Sequence, residues 1–232
     1  MQGIRYEYVF GVVCPPFLYL LQFDSLPAGI KKGAQNFFPE KSGAYTGEIS
    51  PLMLKNDGVE YVIVGHSERR QYDSETDEII HQKVLSALKH HLIPIVCIGE
   101  TEVERHAGET DIIIAEQVKI IFSGLSKMQA EEIIIAYEPR WAIGTDRTPT
   151  TDELLQVRVL LLKLFTEMFG IRTAERIAVL YGGSVKSVGL PAVSFEARMD
   201  GVLVGRESLF PHELVKMMDI LEEEAKHQIK GS

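Results

Sequence analysis

Only two cysteines, Cys14 and Cys97, and one tryptophan, Trp141, occur among these 232 residues. No Cys-x-x-Cys pair or Cys/His spacing of the metal-binding kind is present, so no metal site is expected. Both cysteines stand in apolar runs and read as buried free thiols of a reducing compartment. Positive charge is not in excess: 24 Lys and Arg face 33 Asp and Glu, for a net charge of -9. That argues against nucleic acid as a partner, because a phosphate backbone needs a basic surface. Long apolar runs are missing as well. None reaches the ~18 residues of a membrane span, and the N-terminus lacks the design of a signal peptide. The expectation is a cytoplasmic protein without membrane contact.

What is present is enough apolar residue, 45% of the chain against 25% charged, to bury a sizeable core. No Pro/Gly/Ser-rich linker divides the sequence, so residues 1–232 read as one domain. Length does not argue against this, since α/β barrels run to ~250 residues. Short Ile/Val-rich runs alternate with amphipathic stretches. Strands are expected at Val59–Val64, Ile93–Ile98, Ile133–Tyr137, Ile177–Tyr181 and Gly201–Val204. Helices are expected at Thr76–His90, Ile112–Leu125, Thr151–Phe169 and from Pro211 onward, the last with Leu214, Met218 and Leu221 on one face. The strands do not alternate with polar residues, which is the pattern of parallel strands covered on both faces. The class is α/β, built of right-handed βα units. Periodicity leaves an open sheet and a closed barrel equally possible. Glu222-Glu223-Glu224 reads as a solvated helix face.

Polar residues collect just after the apolar runs. Gly65-His66-Ser67-Glu68-Arg69-Arg70 follows Val64, Gly99-Glu100 follows Ile98, and Glu138 follows Tyr137. Gly182-Gly183-Ser184 follows Tyr181, and Gly205-Arg206 follows Val204. In a parallel sheet all these ends lie on one side, so they can converge on one small ligand. Glu138 stands at a strand end beside a loop, where an α/β enzyme places a general base. Backbone N–H groups at glycine turns that lead into helices suit an anion. Singly, each has a bland reading: His66 as a hydrogen-bonded structural residue, Glu138 as an ion-pair member, Gly182-Gly183 as a tight turn, Trp141 as core. Arg69 and Arg70 read as salt-bridge partners.

In combination the motifs resemble those of the triosephosphate isomerases. The resemblance lies in Ala136-Tyr137-Glu138-Pro139-Arg140-Trp141-Ala142-Ile143-Gly144-Thr145, in Val64 to Arg70, in Tyr181-Gly182-Gly183-Ser184-Val185 and in Val204-Gly205-Arg206-Glu207-Ser208-Leu209. Ala34-Gln35-Asn36 and Gly43 to Ser50 join it, in order, over roughly Val12 to Leu221. It implies a (β/α)8 barrel and interconversion of dihydroxyacetone phosphate and glyceraldehyde 3-phosphate without metal or organic cofactor. By the same resemblance Glu138 is the base and His66 a neutral electrophile, the known pairing of that family. Backbone N–H groups of Gly144, Ser184, Gly205 and Arg206 hold the phosphate, and Pro139 to Thr145 is a closing loop. Arg206 and Arg140 replace residues that are more often glycine and apolar in the family.

One departure matters. The family begins with a strand ending in Asn-x-Lys-x-Asn, whose lysine reaches into the site, and no such motif stands in this sequence. The resemblance implies that the first strand, its lysine and its helix are missing. Lys31 and Lys32 lie in the wrong strand to substitute. Met1 to Phe10 alternates weakly, with Ile4, Tyr6, Tyr8 and Phe10 in phase, and is expected as a makeshift strand in the gap. By the resemblance Glu68 is the partner of that lysine, so it is expected to be left unpaired. A homodimer is implied through the protruding loop Lys41–Ser50, with the receiving pocket in doubt. A catalytically silent, phosphate-binding relative is the alternative reading.

Overall fold

The computed structural model describes residues 6–145 and 147–231. Seven strands, β1 (Gly11–Val13), β2 (Ile30–Ala34), β3 (Tyr61–Val64), β4 (Ile93–Ile98), β5 (Ile134–Tyr137), β6 (Ala178–Tyr181) and β7 (Gly201–Val202), form one parallel sheet in chain order. Between and after them run α1 (Pro51–Asn56), α2 (Ser67–Tyr72), α3 (Asp77–Lys89), α4 (Glu102–His106), α5 (Thr110–Ile121), α6 (Lys127–Glu131), α7 (Thr151–Phe169), α8 (Ile171–Ala174), α9 (Leu190–Val193) and α10 (Pro211–Gly231). The sheet curls as an α/β barrel does. Its two outer edges stay apart: among the described residues β1 pairs only with β2, and β7 only with β6. Among the described residues it holds seven of the eight strands that a (β/α)8 barrel has.

Successive strand residues point to opposite faces, and both faces here are apolar. Val62, Val64, Val96, Ile98, Ile135 and Val179 face outward and pack with Ile80, Val84, Ile114, Val118, Leu154, Leu161 and Phe165 of the helices. Each such fully buried side chain contributes ~1.5–3 kcal/mol. Tyr61, Ile63, Ile95, Cys97 and Ala136 form a smaller inward cluster, joined by half-buried Val12, Cys14, Ile134, Leu180 and Leu203. The continuous Ile/Val runs thus serve two cores at once. Inside the curl a cavity of about 2940 Å3 extends from His66 and Glu138 to Met217, Met218 and Leu221 of α10.

Element ends follow local chemistry. Thr150 caps α7, its hydroxyl taking the Glu153 N–H while the Glu153 carboxylate takes the Thr150 N–H, and Gly170 at φ 88° stops it. Thr101 and Glu104 cap α4 in the same way. The helix expected over 112–125 covers Thr110–Ile121, because the chain turns at Phe122 and passes through Gly124 at φ 72°. β7 is shorter than the Gly201–Val204 run: the Leu203 N–H still reaches Tyr181 O (2.8 Å), but the strand has no neighbour on its other side among the described residues.

Two expectations are corrected. Tyr6 to Phe10 is not a strand, and the rest of the Met1–Phe10 stretch lies outside the described residues. The N–H groups of Glu7, Tyr8 and Val9 instead all donate to the Glu222 carboxylate of α10, at 2.9, 3.0 and 3.1 Å. The Tyr6 hydroxyl donates to Asp219. Glu222 is accordingly buried, 6% exposed, and not part of a solvated face. This strap ties the segment before β1 to the helix after β7. Cys97 is buried and Cys14 half-buried, both as free thiols. No helix of the described residues is long and apolar enough to cross a membrane.

Candidate active site

The strand ends converge as their order requires. His66, Glu138, Gly144, Ser184, Gly205 and Arg206 all border the one cavity. Glu138 follows β5, and its own N–H is fixed to Ile98 O of β4 (2.7 Å). Its carboxylate is almost wholly buried, 2% exposed. One oxygen, Oε2, accepts the Ser67 N–H at 3.0 Å. The other, Oε1, lies 3.2 Å from His66 Nε2. Burial pushes the Glu138 carboxyl above the usual carboxylate range, although His66, the Ser67 N–H and the Cys97 thiol all act the other way.

His66 is the N-cap of α2, and its Nδ1 accepts the Glu68 N–H at 3.3 Å. An imidazole that accepts at Nδ1 carries its proton on Nε2, and Nε2 is the atom that faces Glu138. The turn behind it depends on Gly65 at φ 72°: a Cβ there would stand 2.6 Å from Ile80 Cδ1. Gly182 serves the base in a similar way, since a Cβ there would meet Glu138 Cγ at 2.7 Å.

The loop Pro139–Thr145 is anchored from below. Trp141 Nε1 donates to Glu100 Oε1 at 2.8 Å, the Tyr137 hydroxyl reaches the same carboxylate at 3.1 and 3.2 Å, and Glu100 is fully buried. The Arg105 guanidinium lies 3.9 Å over the Trp141 ring. From above, the Ser184 hydroxyl is within donating distance of Ala142 O (2.9 Å) and Thr145 O (3.1 Å). Gly144, at φ 69°, is exposed, with open space where a Cβ would be. Trp141 is therefore both buried and part of the loop.

A buried carboxylate thus faces an imidazole, and a loop is latched beside a glycine turn. The family model described as "Triosephosphate isomerase" matches residues 4–221. The chain belongs to the triosephosphate isomerase family. A triosephosphate isomerase of Clostridium tetani is 45% identical over 200 residues, 85% of this chain and 78% of that one. That of Dictyoglomus turgidum is 46% identical over 202 residues, 86% of this chain and 81% of its own. That of Thermoanaerobacter pseudethanolicus is 45% identical over 210 residues, covering 90% and 85%.

Against the motifs of the triosephosphate isomerases, several residues went unread. Glu100 stood at a strand end in the sequence, but nothing there pairs it with Trp141, 41 positions away. Lys31 pairs with Glu60, and Lys32 with Asp24 and Asp57. Glu68 is exposed, its carboxylate 3.8 Å from His66 Nδ1. Lys41 to Glu48 is exposed along its whole length. Among the described residues no group of three His, Cys, Asp or Glu side chains could hold a metal ion.

Proposed function

We propose that this chain is an aldose–ketose isomerase that interconverts dihydroxyacetone phosphate and glyceraldehyde 3-phosphate. The observation that carries the proposal is the facing of the buried Glu138 carboxylate and His66 Nε2, 3.2 Å apart. A carbon acid next to a carbonyl needs a base on one side and a hydrogen-bond donor at the oxygen on the other. Glu138 takes the proton from one carbon, charge grows on the carbonyl oxygen, and His66 Nε2–H stabilises it. The resulting enediolate takes the proton back from Glu138 on the adjacent carbon, while His66 moves protons between the two oxygens. A carboxyl raised by burial suits a base that must both accept and return a proton near neutral pH.

In this proposal the N–H groups of Gly144, Ser184, Gly205 and Arg206 take the substrate phosphate. Closure of Pro139–Thr145 excludes water and limits loss of phosphate from the enediolate. The cytoplasmic location and the homodimer through Lys41–Ser50 belong to the same proposal, supported by family membership alone.

The test is turnover of glyceraldehyde 3-phosphate by the purified 232-residue chain, with Glu138→Gln beside it. Turnover that the substitution removes supports the proposal. A folded chain without turnover overturns it and favours a silent relative.

A further inference from the structure

Arg70 makes three directed contacts at the base of the site. Its Nε–H donates to Gly65 O (2.9 Å), an Nη2–H to Cys97 O (3.1 Å), and an Nη1–H to Asp77 Oδ1 (2.6 Å). The side chain is 9% exposed. The two carbonyls are where the β3–β4 ladder stops: the last pair in register is Val64 with Val96, and Gly65 and Cys97 follow directly. Beyond that point the backbone of Gly65 is left-handed, at φ 72°. A buried carbonyl at the end of a ladder needs a donor, and one planar guanidinium serves both.

The two acceptors stand directly behind the two reacting groups. Gly65 precedes His66, so the direction of its carbonyl fixes the peptide that presents the imidazole. Cys97 precedes Ile98, whose carbonyl takes the Glu138 N–H at 2.7 Å. Asp77, the first residue of α3, holds the third corner of the guanidinium in place.

We propose that Arg70 is a positioning residue for the isomerisation: by clamping Gly65 O and Cys97 O together, it sets the approach of His66 Nε2 to Glu138. The inference rests on the function proposed above. Arg70 does not touch the substrate; it acts through the two backbone segments. Lysine keeps the charge but cannot span three acceptors in one plane. Loss of the clamp lets His66 and Glu138 drift apart, and small misplacements of reacting groups cost about tenfold to a hundredfold in rate.

The experiment compares the parent chain with Arg70→Lys and with Arg70→Ala, the latter also in millimolar guanidinium. Melting temperature, kcat and KM are measured, together with the imidazole nitrogen shifts of His66 by 15N NMR. The expected result is a folded Arg70→Lys chain with kcat down about tenfold or more and KM little changed. Arg70→Ala should recover kcat when guanidinium is added, and both variants should lose the single Nε2–H tautomer pattern of His66. Unchanged kcat in folded variants overturns the proposal, as does a loss that guanidinium does not restore while the His66 shifts stay as in the parent. If the parent itself shows no turnover, the functional reading has failed and the nitrogen shifts still decide the clamp: an identical pattern in parent and variants refutes it. Failure of both variants to fold would assign Arg70 to the core and refute it too.

Discussion

Replacing Glu222 by alanine tests how an open-edged sheet is tied together. In the structure one carboxylate collects the N–H groups of Glu7, Tyr8 and Val9 at 2.9–3.1 Å. A hydrogen bond to a charged group is worth ~1.5–3 kcal/mol net. Glu7 and Tyr8 are exposed, so water can replace part of what they lose. Halving the sum for that reason leaves about 2–4 kcal/mol for the three bonds. For a domain of this size 1 kcal/mol corresponds to ~2–4 °C, so the melting temperature should fall by roughly 5–15 °C at pH 7. Glu222→Gln keeps one acceptor oxygen and should lose about half as much.

The loss has a pH signature. Burial alone would raise the Glu222 carboxyl, but the three N–H donors and Lys226 outweigh it and hold the group below the usual carboxylate range. A folded-state value below the unfolded one means the unfolded chain binds more protons. The stabilisation is therefore complete above the unfolded value of ~4.3 and fades as pH falls through the folded one. The gap between parent and Glu222→Ala should be flat from pH 6 to 8 and close below about pH 4. Thermal melts across that range, with hydrogen exchange at the amides of residues 7–9, measure both effects. A fall of less than about 2 °C at pH 7, or a gap that persists in acid, refutes the reasoning.

Three further outcomes are expected. Glu138→Gln should raise the melting temperature at pH 7 while abolishing turnover. Because burial lifts the Glu138 carboxyl above its unfolded value, the folded chain loses stability as pH rises through that lifted value, and the gain over the parent should vanish below about pH 4 in calorimetry. Gly182→Ala should cut kcat by about tenfold or more, since its Cβ would meet Glu138 Cγ at 2.7 Å and displace the base; steady-state kinetics check it. Trp141→Phe removes one donor from the buried Glu100 carboxylate, at a cost of ~1–3 kcal/mol, and should speed tryptic cleavage at Arg140 in the loop it releases.

Where a sequence signal is local, it was legible. β4 matches its expected run because Ile93–Ile98 is apolar throughout and Gly99 ends it. α7 matches because Thr150, Glu153 and Gly170 mark both ends. His66 and Glu138 were readable as strand-end polar residues, and the parallel order then brings them to one cavity. What was not legible depends on partners far along the chain. The alternation of Tyr6, Tyr8 and Phe10 suggested a strand, yet the N–H groups of Glu7, Tyr8 and Val9 bond to Glu222, 213 to 215 positions away. A triplet of glutamates looks solvated in one dimension, and only the fold turns its first member inward. Arg70 read as a salt-bridge partner; the pairing with Asp77 is real, but the two carbonyls it also holds become visible only where β3 and β4 end.

The central claim is that Glu138 moves a proton between neighbouring carbons of a triose phosphate. Its most direct measurement is isomerisation in D2O, with deuterium in the product followed by NMR. The account predicts deuterium from solvent at the carbon that receives the proton, at a rate that Glu138→Gln abolishes without unfolding the chain. Product that forms with no deuterium at that carbon, or incorporation that survives in Glu138→Gln, contradicts it.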